Sequence, residues 1–243
     1  VQPAARPAPN PPAALRPRRL TIGDVWLLQA DPYAWYARRM LELFPLDDLD
    51  AEAGASQYGN IVHDALAAWT AQVEREGHLG PQAELWFEAA AEDALQRHAP
   101  RPGLVAFWRP RLSRIGAFVV EAERARAGIA HRRAEVKGSL NLGDDVMLEG
   151  RADRVDLRAD GRIELIDFKT GAPPPDSHLR DGRAPQMPLE AAMAIAGGFP
   201  GVPAAEVGLI SHWRLAGGYE PGEVRDFPAD AAEIASLAGE TLD

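Results

Sequence analysis

Asp167-Phe168-Lys169, inside the run ELIDFKTG, sets a carboxylate and an ammonium two residues apart. The run reads as a β-strand, where residues i and i+2 project from one face, so Asp167 and Lys169 stand side by side. Such a pair can hold a hard metal ion and a water molecule together. A compact ammonium suits that task better than the broad guanidinium of arginine, which is never deprotonated. The residue choice is informative: 24 of the 26 basic residues are arginine, and only Lys137 and Lys169 are lysine.

Other stretches supply partners. Asp153 lies in EGRADRVD, a second strand-like run. If the two runs form a hairpin through Ala159-Asp160-Gly161, Asp153 and Asp167 converge at one end of a sheet. Their carboxylates and the backbone carbonyl of Phe168 then offer three oxygens. Mg²⁺ and Mn²⁺ favour an octahedral oxygen shell with positions left for water and phosphate. Lys169 can orient the metal-bound water or stabilise a pentavalent transition state. The plainer alternative pairs Asp153 with Arg151 or Arg154 at the surface, and Asp167 with Lys169. A buried central strand weighs against it, because charges there are costly without a purpose.

His63 is a further candidate, with Gly59 one helical turn before it, where the missing side chain leaves room for a close approach. Its other reading is a histidine hydrogen-bonded at the edge of the core. Glu135, on an earlier strand, reads equally as a site carboxylate or a solvated edge residue. Gln186 opens the helix after the site; it can donate to a phosphate or a metal-bound water, or simply cap the helix.

The elements that must position these residues follow from periodicity. Thr21 is an N-cap for a helical pattern that Pro32 divides in two. The segment PLDDLDAEAGAS reads as an acidic loop. Tyr58, Val62, Ala65, Leu66, Trp69 and Val73 form an apolar stripe on a helix over about 57–76, and two more helices follow near 82–98 and 103–128. The period then changes to that of strands in RRAEVKGSLNL, DVMLEGRADRVDLR and RIELIDFK. On the third, Ile163 and Leu165 face one way while Ile166 and Phe168 face the other, as on a central strand covered on both sides. A helix over about 186–196, a strand in EVGLISHWRL and a helix from about Pro228 complete the order. The expectation is an α/β (α+β) domain over 20–243, with a mixed central sheet flanked by helices and a large N-terminal helical part. Residues 1–19, with six prolines and four arginines, read as a linker or tail.

The 243 residues are 46% hydrophobic and 26% charged, as in a globular protein, and no run resembles a membrane span or a signal peptide. The absence of cysteine excludes disulfides, thiolate nucleophiles, cysteine-bound zinc and iron–sulfur clusters, and fits a cytoplasmic location. The net charge of −10 argues against nonspecific coating of nucleic acid. The charge is uneven, however. Residues 101–133 carry eight arginines against two glutamates, which is either a polyanion-binding stripe or an ordinary solvated face. No phosphate loop of the G-x-x-x-x-G-K type is present, so the sequence holds no ATPase site of that kind.

In this order, G-N-I-V-H (59–63), Glu135, G-R-A-D-R-V-D (150–156), D-F-K-T-G (167–171) and Q-M-P-L-E (186–190) resemble the PD-(D/E)xK nuclease superfamily. More narrowly they are similar to the RecB/AddB-type nuclease domain, above all that ending the AddB-like subunits of bacterial double-strand-break repair helicase–nucleases. The stretch TIGDVWLLQADPYAWYARRML resembles the helical entry of that group. The resemblance implies a restriction-endonuclease-like core and metal-dependent hydrolysis of DNA phosphodiesters, acting on a single strand delivered by a motor. It implies His63, Asp153, Asp167 and the Phe168 carbonyl as ligands of Mg²⁺, or of Mn²⁺ in its place. Lys169 is then the catalytic lysine, Glu135 and Gln186 support the site, and an AddA-like helicase–nuclease subunit is the partner. Two departures stand out. Glu190 takes the place of a tyrosine common in the family, and the cysteines that hold an iron–sulfur cluster in some relatives are missing. The alternative is a catalytically silent nuclease-fold module that binds DNA or a partner subunit.

Overall fold

Thr21 starts the first helix through a reciprocal cap: its hydroxyl accepts from Asp24 N at 3.1 Å, and the Asp24 carboxylate accepts from Thr21 N at 2.7 Å. The computed structural model describes residues 8–46, 54–98 and 101–242. Most of the acidic loop expected over 45–56, and part of the 1–19 tail, lie outside them. Helix α1 (Ile22–Ala30) gives way to α2 (Pro32–Met40) at the expected break, where Asp31 caps Ala34 N and Pro32 takes the first helical position. Then come α3 (Ala55–Glu76), closed by Gly77 in the left-handed conformation at φ 72°, α4 (Ala83–His98) and α5 (Pro102–Arg124). Short α6 (Asp176–Arg180) and then α7 (Gln186–Ile195) precede the last helix, α8 (Ala231–Glu240).

Six strands form one mixed sheet: β1 (Arg19–Thr21), β2 (Ile129–Gly143), β3 (Val146–Arg158), β4 (Ile163–Lys169), β5 (Val207–Arg214) and β6 (Glu223–Asp226). β3 and β4 are the expected antiparallel hairpin, with Val155 opposite Leu165, and β5 runs parallel to β4, with His212 beside Asp167. Ile166, Phe168 and Trp213 pack under α3, α4 and α5, together with Trp69, Phe87 and Leu112. Ile163, Leu165 and Ile210 pack on the other face under α7 and α8, together with Met187 and Ile234. β4 is thus covered on both sides, and the architecture is consistent with a restriction-endonuclease-like core.

The expected linker ends earlier than residue 19. Arg18 accepts from Met147 N at 2.8 Å, and Arg19 opens β1, which pairs in parallel with β3. Three residues are too few to show a period, so this strand is invisible to pattern reading.

A buried ion network ties α5 to the sheet. Arg154, fully buried on β3, lies 2.8 Å from Asp156 and 3.0 Å from Glu123 of α5. Arg126 reaches Glu123 at 2.9 Å and Asp156 at 2.7 Å and also pairs with Glu164. Burial pushes the Glu123 carboxyl up, but Arg154, Arg126 and Arg132 outweigh it and hold it down at about 2. Asp156, the second acid of the GRADRVD motif, therefore serves packing, and Arg154 pairs away from Asp153.

Two outcomes follow from this network. Arg154→Ala removes the fully buried cation shared by Asp156 and Glu123, leaving Arg126 and Arg132 as their partners, and should cost about 3–5 kcal/mol in urea unfolding. Because the folded-state pKa of Glu123 lies below its ordinary 4.5, its contribution is present above that pH and lost as pH falls toward about 2. Glu123→Gln should flatten the stability–pH curve in that window.

Candidate active site

The site forms where β3 loses a neighbour. β2 pairs along nearly the whole of β3, whereas the other edge of β3 is shared: β1 pairs with Met147–Glu149, and β4 pairs with residues 154–157. Between them, residues 150–153 face a gap. There the Asp153 carboxylate stands in for a ladder partner and accepts from Phe168 N at 2.8 Å. Within a strand residue, N–H and C=O point to the same side. The Phe168 carbonyl is therefore turned into the same gap.

β2 and β3 also change face here. Val136 pairs with Ala152 and Ala134 with Arg154, in unbroken register, yet Ala152 packs under α7 while Arg154 points toward α5. Glu135 and Asp153 sit at the reversal, and Glu135 has φ 53°, a left-handed backbone unusual for a side chain of its size. The reversal brings both acids toward His63 on α3. His63 Nδ1 lies 3.3 Å from Asp153 Oδ1 and 3.8 Å from Glu135 Oε1. Ligand atoms of these three residues all fall within 4.8 Å of one another. Glu135, expected only to support the site, joins the group that can hold an ion. Arg151 closes on its far side, 2.9 Å from Glu135 Oε2.

Asp167 stands outside that group of three and belongs to a second set. Its Oδ1 accepts from Lys169 Nζ at 2.7 Å and from Gln186 Nε2 at 2.8 Å. Its Oδ2 is buried without a hydrogen bond; His212 Nε2, on the neighbouring strand, stays 3.8 Å away. Asp167 feels the charges of Asp153 and His63, and its orphaned buried oxygen together with the three clustered ligand atoms fits a divalent cation. Gln186 is no helix cap: its oxygen accepts from Lys169 at 3.2 Å and its nitrogen also donates to Glu190 at 3.1 Å. Gly59 faces Thr170, where an added Cβ would meet Oγ1 at 3.6 Å, an ordinary contact, so crowding within the protein does not require glycine there.

The electrostatics are those of a site short of positive charge. Burial pushes His63 down, but its contacts with Asp153 and Glu135 raise it to about 10. Burial raises Asp167; the Lys169 ammonium opposes this, and the Asp153 charge adds to it. Burial, with Asp167 nearby, lifts Glu190 well above the carboxylate range. Burial, with Lys169 and Arg225 adding to it, lowers His212 to about 4. Glu190 and His212 are site residues that sequence reading missed or left without a role. The available signals were helical spacing of four from Gln186 and a strand following the crossover from β4.

The arginine-rich stretch over 101–133 keeps a solvated face: Arg101, Arg109, Arg114, Arg124 and Arg133 are exposed, while Arg111, Arg126 and Arg132 are half-buried. Several are also engaged within the protein. Arg111 and Arg114 donate to the carbonyls of Ala216 and Gly217, Arg109 pairs with Glu92, and Arg126 and Arg132 join the buried network.

Curated relatives include an uncharacterized protein of Rickettsia bellii, 27% identical over 187 residues, and one of Rickettsia typhi, 25% identical over 192 residues. Each match covers 75% of this chain but only 22% of the relative. The crystal structure of SSO0001 matches 76% of this chain and 73% of its own at 18% identity, with a TM-score of 0.28, too low to carry an argument. A family model described as the PD-(D/E)XK nuclease superfamily matches residues 19–242, and the chain belongs to that superfamily.

Proposed function

We propose that this domain is a metal-dependent nuclease that hydrolyses DNA phosphodiester bonds, with Mg²⁺ as its ion and Mn²⁺ as a substitute. One observation supports it above the rest: His63, Glu135 and Asp153 present clustered ligand atoms beside the unpartnered Asp167 Oδ2. His63, Asp153, Asp167 and the Phe168 carbonyl would hold the ion, with Glu135 as an added ligand. A bound divalent ion supplies charge neutralisation at the phosphate and an acidified water. The chain's own groups do the rest. Lys169 keeps its ammonium between Asp167 and Gln186 and donates to the water or to a non-bridging phosphate oxygen. Gln186 fixes the Lys169–Asp167 pair, and Glu190 fixes Gln186.

We infer further that the substrate is a single strand delivered by a helicase in double-strand-break repair, in the cytoplasm, with an AddA-like subunit as partner. The motif order shared with RecB/AddB-type domains supports this. The relatives, of which the chain spans about a fifth, leave room for other domains in such a protein. No helix among the described residues is long and apolar enough to cross a membrane.

Lys169→Ala should lower cleavage of a labelled oligonucleotide by about 10²-fold or more while leaving calorimetric Mn²⁺ binding intact. Near wild-type cleavage would remove Lys169 from the chemistry. Asp153→Ala should abolish Mn²⁺ binding at the site, and an unchanged titration would contradict the ligand assignment. His63 is protonated at neutral pH without metal, yet a ligating imidazole must be neutral. Metal uptake at pH 7 should therefore release close to one proton, read as a difference in binding heat between two buffers of unlike ionisation enthalpy. Affinity should rise with pH, and His63→Gln should remove both effects.

A further inference from the structure

Two adjoining cavities flank the gap in β3. One, of about 680 Å³, is lined by Lys137, Gly150 and Arg151, among others; the second, of about 560 Å³, by Trp26, Arg151, Lys169, Arg183 and Gln186. Ile22, Gly23 and Arg151 border both, so the two form one groove. Both lysines of the chain therefore open on it. Lys137 and Arg151 are directly opposite in the β2–β3 register, and Lys137 has no ion pair among the described residues. Arg151 is already held by Glu135 at 2.9 Å, so Lys137 is the member of this pair that can take an external anion.

Trp26 is the second signal. It is 52% exposed at the mouth of the cavity that contains Lys169, and its indole has no hydrogen-bond partner among the described residues. Helix α1, which carries it, is anchored on the sheet. Ile22, one turn earlier on the same face, packs so closely over Gly150 that a Cβ would meet it at 2.5 Å. An exposed aromatic ring beside a groove that carries Lys137, Arg151, Lys169 and Arg183 against Glu149 and Glu190 has the composition of a stacking platform for nucleic-acid bases. The second cavity is in the size range that encloses a small ligand, enough for one nucleotide drawn out of its stack.

We propose that this groove carries the single DNA strand into the site, its phosphates along Lys137 and Arg151 and one unstacked base against the Trp26 indole. The inference rests on the nuclease reading for its choice of polymer but is tested separately from cleavage. Binding of a fluorescein-labelled oligo(dT) is measured by anisotropy with Ca²⁺ in place of Mg²⁺, beside an abasic strand and a duplex of equal length. Wild-type protein should prefer oligo(dT) to both. Trp26→Ala should weaken oligo(dT) binding about tenfold and erase the preference over the abasic strand, while Trp26→Tyr retains it. Lys137→Ala should lower the salt dependence of binding by about one charge. Equal affinity for oligo(dT) and abasic DNA in wild type, a Trp26→Ala variant indistinguishable from wild type, or equal preference for duplex overturns the proposal. Wild-type protein that binds as expected yet fails to cut whichever divalent metal is supplied sinks the nuclease reading and leaves the groove assignment standing.

Discussion

The hydrogen bond from Phe168 N to the Asp153 carboxylate is the constraint from which the site follows. β3 and β4 could not simply separate, because a buried amide without an acceptor costs about 1–3 kcal/mol. Asp153 supplies the acceptor from its side chain, and the strands can part without that loss. One carboxylate oxygen is thereby committed to the backbone, and the other is left facing His63. The same bond turns the Phe168 carbonyl into the gap and sets the start of the Asp167–Lys169 pair.

Two groups of charges lie on β3, and they are balanced differently. Toward α5, Glu123, Asp156 and Glu164 meet Arg126, Arg132, Arg154 and Arg158, so every acid has a cation in contact. At the gap, Glu135, Asp153, Asp167 and Glu190 share His63, Lys169 and the outlying Arg151. The first group balances its charges within the protein and anchors α5 to the sheet. The second raises the pKa of two of its acids and holds a proton on its histidine. An external cation relieves that imbalance, which is the physical content of a metal site.

Much of this could be read from sequence where the signal is local. The stripe from Tyr58 to Val73, the Thr21 cap, the Pro32 break and the turn between β3 and β4 each depend on neighbouring residues, and each stands as expected. The pairing of Asp153 with Phe168, rather than with Arg151 or Arg154, depends on where two strands part, and no periodicity encodes that. The arginines of α5 show the same limit. Arg114 is exposed yet donates to the Gly217 carbonyl across 103 residues, a contact that counting charges along the chain does not reveal. Glu190 was visible only as a departure from a tyrosine, and the bond its buried carboxyl accepts from Gln186 gives the departure a physical role.

The reversal of faces at Glu135 and Asp153 makes chain length as consequential as composition in this part of the protein. A residue added or removed between Gly150 and Arg154 would rotate every later side chain of β3 through half a turn. The arginine of the anchor would then emerge beneath α7, and the ligand acid would be carried away from the imidazole. Genetic drift can exchange exposed side chains here freely, but an insertion or deletion of a single codon would dismantle anchor and site together.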